Sequence, residues 1–258
     1  MPNCQERSAG AGGRAREAEG TMASITQAVE DYLKAIWKLS RGGARVPVGA
    51  IAEHLSVSAP SVTGMVQKLR DMRLLLYARR EGVSLTPRGR RIALEIVRHH
   101  RLWELYLYTR LGLPLEAVDA EAERLEHVLS DRMEEHLSRV LGDPTHDPHG
   151  DPIPTREGEL APVRAVALTA LAPGRSAVVA HVSDRSAEKL RALVAMGLLP
   201  GVRVRLLAGG SAGGALALRV GRRYFALGRD LAETVHVVEA LSGRARARAA
   251  APRGSRAR

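Results

Sequence analysis

The chain has 258 residues, a single cysteine and a net charge of +11. That length can hold two or three small domains. The lone Cys4, in a Gly/Ala/Arg-rich leader, excludes a disulfide framework within one chain and a thiolate metal site or cysteine nucleophile in the folded body. No apolar run is long enough to span a bilayer, and the leader MPNCQERSAGAGGRAREAEG lacks the apolar stretch of a secretory signal, so the expected compartment is the cytoplasm.

Charge is unevenly spread. Residues 45 to 101 carry eleven Lys/Arg against four acids, whereas residues 102 to 160 carry five Arg against fourteen acids. Basic character returns beyond, and the tail from Leu241 to Arg258 has six Arg and no acid. A basic block followed by an acidic one points to different partners: phosphate backbone for the first, cations for the second. A solvated face is the plain alternative for either. Six of the nine histidines fall between His99 and His149, four of them inside the acidic block.

In chain order, residues 1 to 22 read as a disordered leader. SITQAVEDYLKAIWKLS carries an apolar stripe at helical spacing, VGAIAEHL reads as a short helix, and SVSAPS reads as a turn with Ser58 as N-cap and Pro60 in the first turn of the next helix, SVTGMVQKLRDMRLL. LLYARREGVSLT reads as two short strands about the turn ARREG. Thr86 and Pro87 open a long amphipathic helix that Gly112 and Pro114 end, and LEAVDAEAERLEHVLSDRMEEHLSRVLG reads as one further helix closed by Gly142. DPTHDPHGDPIP suits neither helix nor sheet interior. After it come short alternating runs (SAVVAHV, VRVRLLA, ALALRV, RRYFAL, TVHVVEAL) around one helix, AEKLRALVAMG, the pattern of a small β-barrel-like module.

Helix, short helix, turn, helix and hairpin is the order of a winged helix-turn-helix. Its second helix enters the major groove with N-terminal residues on base edges. The candidate contacts to double-stranded DNA are Ser58, Pro60, Ser61, Thr63, Gly64 and Gln67, with Lys68 and the wing residues Arg79 and Arg80 on the backbone. Taken singly, each could be an ordinary surface residue.

Glu123, Glu126 and His127 stand at i, i+3 and i+4, so a helix presents them on one face. His100 and Glu104 are i and i+4 on the preceding helix, and Glu30 and Asp31 lie on the first. Oxygen and imidazole donors suit Mn(II) or Fe(II), with Zn(II), Co(II), Ni(II) or Cd(II) able to substitute in vitro. A solvated polar face and an acid/base cluster remain open on spacing alone. An enzyme is the weak alternative: the chain has no HExxH spacing, nucleophile elbow or phosphate-binding glycine loop. A winged-helix regulator sensing an organic ligand is the other.

QAVEDYLKAIWKL, LSVSAPSVTGMVQKL, RHHRLWE, AEAERLEHVLSD and DPHGDPIP, in this order, resemble the diphtheria-toxin-repressor and manganese-transport-regulator family of metal-dependent repressors over residues 24 to 160. Residues 163 to 240, with AEKLRALVAMGLLPGVRVRLL, resemble the SH3-like, FeoA-type domain of its longer members. The resemblance implies an α+β chain: a winged helix-turn-helix over residues 23–87, a helical metal-binding and dimerisation domain over 88–142, a Pro-rich linker over 143–162, the SH3-like β-barrel over 163–240 and a disordered basic tail over 241–258. It implies a homodimer on a palindromic operator, no membrane and no organic substrate. The implied main metal site is Asp31, His100, Glu123, Glu126 and His127. Carboxylates at 31 and 123, where the iron-sensing branch typically has Met and Cys, resemble the manganese branch. Lys34 stands where short manganese-type members often have Glu, which departs from a two-metal cluster of their kind. A second site of the iron-type architecture points to Glu104, Asp119 and Glu188, with Asp184 behind them.

Overall fold

The computed structural model describes residues 25–40, 43–209 and 214–239. The leader and the basic tail expected from sequence lie outside the described residues. The chain divides into two compact units, Met1–Val97 and Arg98–Arg258.

In the first unit, helices α1 (Gln27–Leu39), α2 (Val48–Leu55) and α3 (Ala59–Asp71) precede the strands β1 (Leu75–Ala78) and β2 (Gly82–Leu85). Apolar residues three and four apart turn one stripe of each helix inward. Leu33, Ile36, Ile51, Leu69 and Leu74 are fully buried in one core. Burial of one such side chain contributes on the order of 2 kcal/mol. Ser58 caps α3 by accepting from the Ser61 amide, and Pro60 sits in the first turn, where no helical N–H is lost. The hairpin pairs Leu75 with Leu85 and Ala78 with Gly82, and Val46 adds a bridge to Val83. Gly82 has φ +103, and a Cβ there would run into the Val46 carbonyl, so the wing needs glycine at this point.

Helix α4 (Pro87–Thr109) contains the division between the units. Thr86 starts it by accepting the Gly89 N–H on its hydroxyl. The second unit continues through α5 (Val118–Leu125), a 3-10 turn at Glu126–Val128 and α6 (Asp131–Leu141). The sequence reads residues 115 to 142 as one helix. The structure breaks it at Leu129, whose backbone is extended, and Ser130 caps α6 by accepting from the Met133 amide. The apolar period runs on across the break, so periodicity alone misses it. Serine's local bond to the backbone competes with helix continuation.

Residues 143 to 162 contain no helix or strand, yet they do not hang in solvent: Asp147, His149, Pro152, Ile153 and Pro154 are buried. The fold closes with a six-stranded antiparallel sheet in the order β3-β8-β4-β5-β6-β7. Its strands are β3 (Val166–Ala167), β4 (Ser176–Val182), β5 (Arg203–Ala208), β6 (Leu216–Val220), β7 (Arg223–Leu227) and β8 (Val235–Glu239). Helix α7 (Ala187–Met196) follows β4, capped by Ser186 and ended at Gly197 in the left-handed region, and α8 (Arg229–Ala232) precedes β8. Period-two alternation sends Val204, Leu206, Leu216, Leu218, Val235 and Val237 into a separate core against Leu190 and Leu193 of α7. This is the α+β architecture with a small C-terminal β module that the sequence implies.

Candidate metal centre and nucleic-acid interface

Helix α4 supplies the middle of the site. His100 and Glu104, one helical turn apart, share its inner face and are 4% and 1% exposed. The 3-10 turn then brings up Glu126, fully buried at 0% exposure. His100 Nδ1 lies 2.5 Å from Glu126 Oε2 and 3.6 Å from Glu123 Oε2. Its other nitrogen, Nε2, lies 3.2 Å from Asp119 Oδ1 and 3.5 Å from Glu104 Oε1. His127 Nε2 stands 3.3 Å from Glu126 Oε1. One imidazole thus faces four carboxylates, two on each nitrogen. Within the second unit the structure brings His100, Glu104, Asp119, Glu123, Glu126 and His127 together. Asp31 belongs to the other unit, half-buried on α1.

Sequence reasoning missed two residues. Asp147 and His149, from the Pro-rich segment, join Glu104: His149 Nδ1 lies 3.3 Å from Glu104 Oε1, and donor atoms from all three residues fall within 4.8 Å of one another. Asp147 Oδ1 accepts the amides of His149 and Asp151, each at 2.9 Å, which folds the segment into a tight turn. Gly150 has φ +92, and a Cβ there would meet the Ala180 carbonyl. Val182 N–H donates to the His149 carbonyl, tying the turn to β4. Asp184 is near enough to His149 to act on its charge, whereas Glu188 is exposed in the first turn of α7 and joins none of the clusters among the described residues. The readable signal was the crowding of histidines into the acidic block. The segment's burial was not readable.

Electrostatics set the charge balance of this cluster. Burial by itself would keep His100 neutral, but Glu104, Asp119 and Glu126 outweigh it and raise its pKa to about 10. His149 is likewise raised to about 9 against the burial penalty, by Glu104, Asp147 and Asp184. Burial and repulsion from Glu104 and Asp151 push Asp147 up to about 8, opposed by Arg101. Glu104 is held low, because the two imidazoles outweigh its desolvation. Buried carboxylates that raise every neighbouring proton affinity are short of positive charge. Glu104 Oε1 and His149 Nδ1 are moreover buried and face each other at 3.3 Å without a well-formed hydrogen bond among the described residues, an arrangement that a divalent cation would satisfy. The donor set contains no sulfur, so it is hard to borderline. The residues present fit a divalent metal.

In the first unit, Ser58, Pro60, Ser61, Thr63, Gly64, Gln67 and Lys68 of the α3 segment, and Arg79 and Arg80 of the β1–β2 turn, are all exposed. Ser58 and Ser61 hydroxyls lie 2.8 Å apart, and Thr63 bonds back to the Ala59 carbonyl. The buried side of the same helix is Val62, Val66 and Leu69. Polar residues therefore occupy the face left free by packing.

A helix-turn-helix with a wing, followed by a buried carboxylate–imidazole cluster, defines a metal-dependent DNA-binding regulator. Residues 24–83 match the family model for the iron dependent repressor N-terminal DNA-binding domain, 86–155 that for its metal-binding and dimerisation domain, and 166–239 that for the FeoA domain. The chain is 33% identical over 229 residues to the iron-dependent repressor IdeR of Mycobacterium leprae (strain TN), covering 84% of this chain and 99% of that one. It is 37% identical over 133 residues to the diphtheria toxin repressor of Corynebacterium diphtheriae, covering 52% of this chain and 59% of that protein. Among solved structures, a manganese-dependent transcriptional repressor in complex with manganese matches with a TM-score of 0.76 and 35% identity, over 82% of this chain and all of that one. ScaR with bound Zn2+ matches at TM-score 0.69 and 32% identity, over 82% and 99%. The chain belongs to the DtxR/IdeR family of metal-dependent transcriptional repressors. Among the described residues, no helix is long and apolar enough to cross a membrane.

Proposed function

We propose that this chain is a manganese-responsive repressor, acting in the cytoplasm as a homodimer on a palindromic operator in double-stranded DNA and controlling manganese and iron homeostasis genes. The observation that carries the reading is the all-oxygen-and-imidazole ligand set, with Glu123 beside His100 where a thiolate would favour softer metals. The main site is assigned to Asp31, His100, Glu123, Glu126 and His127, Asp31 on the strength of its place in the N-terminal motif. A second site is assigned to Glu104, Asp147 and His149, with Asp119 and Asp184 at its margin.

A bound divalent cation supplies the positive charge that lets these carboxylates share one space. It would offset the same negative charge of Glu104, Asp119 and Glu126 that raises the proton affinity of His100. Asp31 sits on α1 of the DNA-reading unit, so its joining the set would couple that unit to the metal-holding one. The response is a population shift toward the DNA-competent arrangement, sized by the difference in metal affinity between the two states. Ser58, Ser61, Thr63 and Gln67 would face base edges, with Lys68, Arg79 and Arg80 on phosphates.

Iron response is the second reading, favoured by the name of the mycobacterial relative. Fluorescence anisotropy with a labelled promoter fragment separates the two, using wild type and Glu123→Ala without metal, with Mn(II) and with anaerobic Fe(II). Strong tightening by Mn(II) that Glu123→Ala loses is the expected result. Stronger tightening by Fe(II) at equal free metal would transfer the assignment to iron, and indifference to both metals on a validated operator would end the metal-response reading.

A further inference from the structure

The outer face of the C-terminal sheet carries a row of basic residues that the repressor reading leaves unused. Across four strands, Ser176 of β4 pairs with Arg205 of β5, Arg205 with Arg219 of β6, and Arg219 with Tyr224 of the edge strand β7. Arg203, two residues before Arg205 on β5, points to the same side. Their neighbours Val204, Leu206 and Leu218 are buried in the core, so the row faces outward, and Arg203, Arg205, Arg219 and Tyr224 are exposed, Tyr224 at 69%. Arg222 stands exposed in the turn between β6 and β7.

Two observations make this more than a solvated face. Like charges directly opposite in an antiparallel pair disfavour the sheet, yet Arg205 and Arg219 occupy such a pair. From Gly201 to Gly228 the sequence has five arginines and no acid. Among the described residues, Arg203, Arg205, Arg219 and Arg222 make no ion pair, although exposed pairs form elsewhere on the same domain, as between Arg175 and Glu239. A sheet that keeps cations side by side without carboxylates is complementary to a polyanion with regularly spaced charges. An exposed tyrosine beside them adds a hydroxyl donor for phosphate oxygen.

We infer that the β5–β6–β7 face of the FeoA-type domain is a sequence-independent contact for the phosphate backbone of double-stranded DNA. Duplex DNA is chosen over other polyanions because the same chain carries a DNA-binding domain, and to that extent the inference rests on the repressor reading. Three guanidinium groups on phosphates release counterions and steepen the salt dependence of binding, without reading bases.

The test uses the full chain and a random-sequence duplex, with an operator duplex in parallel. The triple variant Arg203→Gln/Arg205→Gln/Arg219→Gln is compared with wild type and with the triple Lys variant, each checked for folding by thermal melting. The expected result is a slope of log K against log salt shallower by about 2 to 3 in the Gln variant on both duplexes. Restoration by lysine and an unchanged ratio of metal-loaded to metal-free operator affinity are also expected. An unchanged slope in a folded Gln variant overturns the inference. So does unchanged DNA binding accompanied by loss of binding to phosphatidylglycerol vesicles, which would give the face to an anionic membrane. The random-duplex arm needs no metal. Failure of metal response with a shallower slope in the Gln variant would therefore sink the repressor reading and leave this one standing.

Discussion

Glu104 Oε1 stands 3.3 Å from His149 Nδ1, both buried, and neither makes a well-formed hydrogen bond among the described residues. One atom comes from a helix and the other from a proline-rich turn. In the proposed second site a cation between them would satisfy both. Replacing His149 by Gln should therefore remove one Mn(II) per chain, read by equilibrium dialysis, or weaken that site by at least tenfold. Unchanged stoichiometry and affinity would show that the pair is structural.

Thiolate at position 123 should change the metal preference. Asp31→Met combined with Glu123→Cys gives the softer donor set that the resemblance associates with iron sensing. The expected outcome is weaker activation by Mn(II) and stronger activation by Fe(II), with Zn(II) tightened as well. Anaerobic anisotropy at matched free metal measures the order, and retention of the wild-type order would remove position 123 from the determinants of selectivity.

The turn that delivers His149 depends on one glycine. Gly150 has φ +92 and no room for a Cβ beside the Ala180 carbonyl. Gly150→Ala should destabilise the second unit by about 1–3 kcal/mol and reduce second-site metal binding along with it. Chemical denaturation and dialysis on the same protein check both effects. A normal second site in an equally stable protein would contradict the geometry.

On α3, neighbouring residues should fail differently if this helix reads the major groove as proposed. Lys68→Ala should weaken binding about equally on all sequences and lower the salt slope by about 1. Gln67→Ala should cost about 1–3 kcal/mol on the operator and relax discrimination at one position. Competition binding with single-base operator variants distinguishes these outcomes.

Away from the proposed ligands, Arg98 Nε donates to Glu134 Oε1 at 2.6 Å, and its Nη1 donates to the Pro154 carbonyl. Burial would raise the Glu134 pKa, but His99 and Arg98 outweigh it and hold it at about 2. A depressed carboxylate pKa stabilises the fold above the unfolded-state value near 4.5 and loses that contribution as pH falls through the folded value. Stability should therefore decline between about pH 4.5 and 2, and Glu134→Ala should flatten that limb. At neutral pH the same variant strands a buried guanidinium and should cost roughly 3 kcal/mol. Denaturation midpoints across this range measure both.

Much of the molecule was legible in sequence. Helical stripes placed α1 to α4, Ser58 and Pro60 marked the start of α3, and alternation with glycine turns marked the C-terminal strands, because these are local consequences of backbone geometry and residue type. His100 and Glu104 shared a face for the same reason. The break at Leu129 was not legible, since the apolar period continues through it.

Sequence by itself determined the family, the order of domains and the chemistry of the donor set, for those depend on residue types at short spacing. Tertiary structure alone decided that Glu126 would be wholly buried against His100, that Asp147 and His149 would leave an apparent linker to meet Glu104, and that Arg205, Arg219 and Tyr224 would line up across three strands. Apart from Arg219 and Tyr224, which meet across one hairpin, these contacts join residues far apart in the chain. Burial and pairing of that kind are set by the packing of whole elements, which no local pattern encodes.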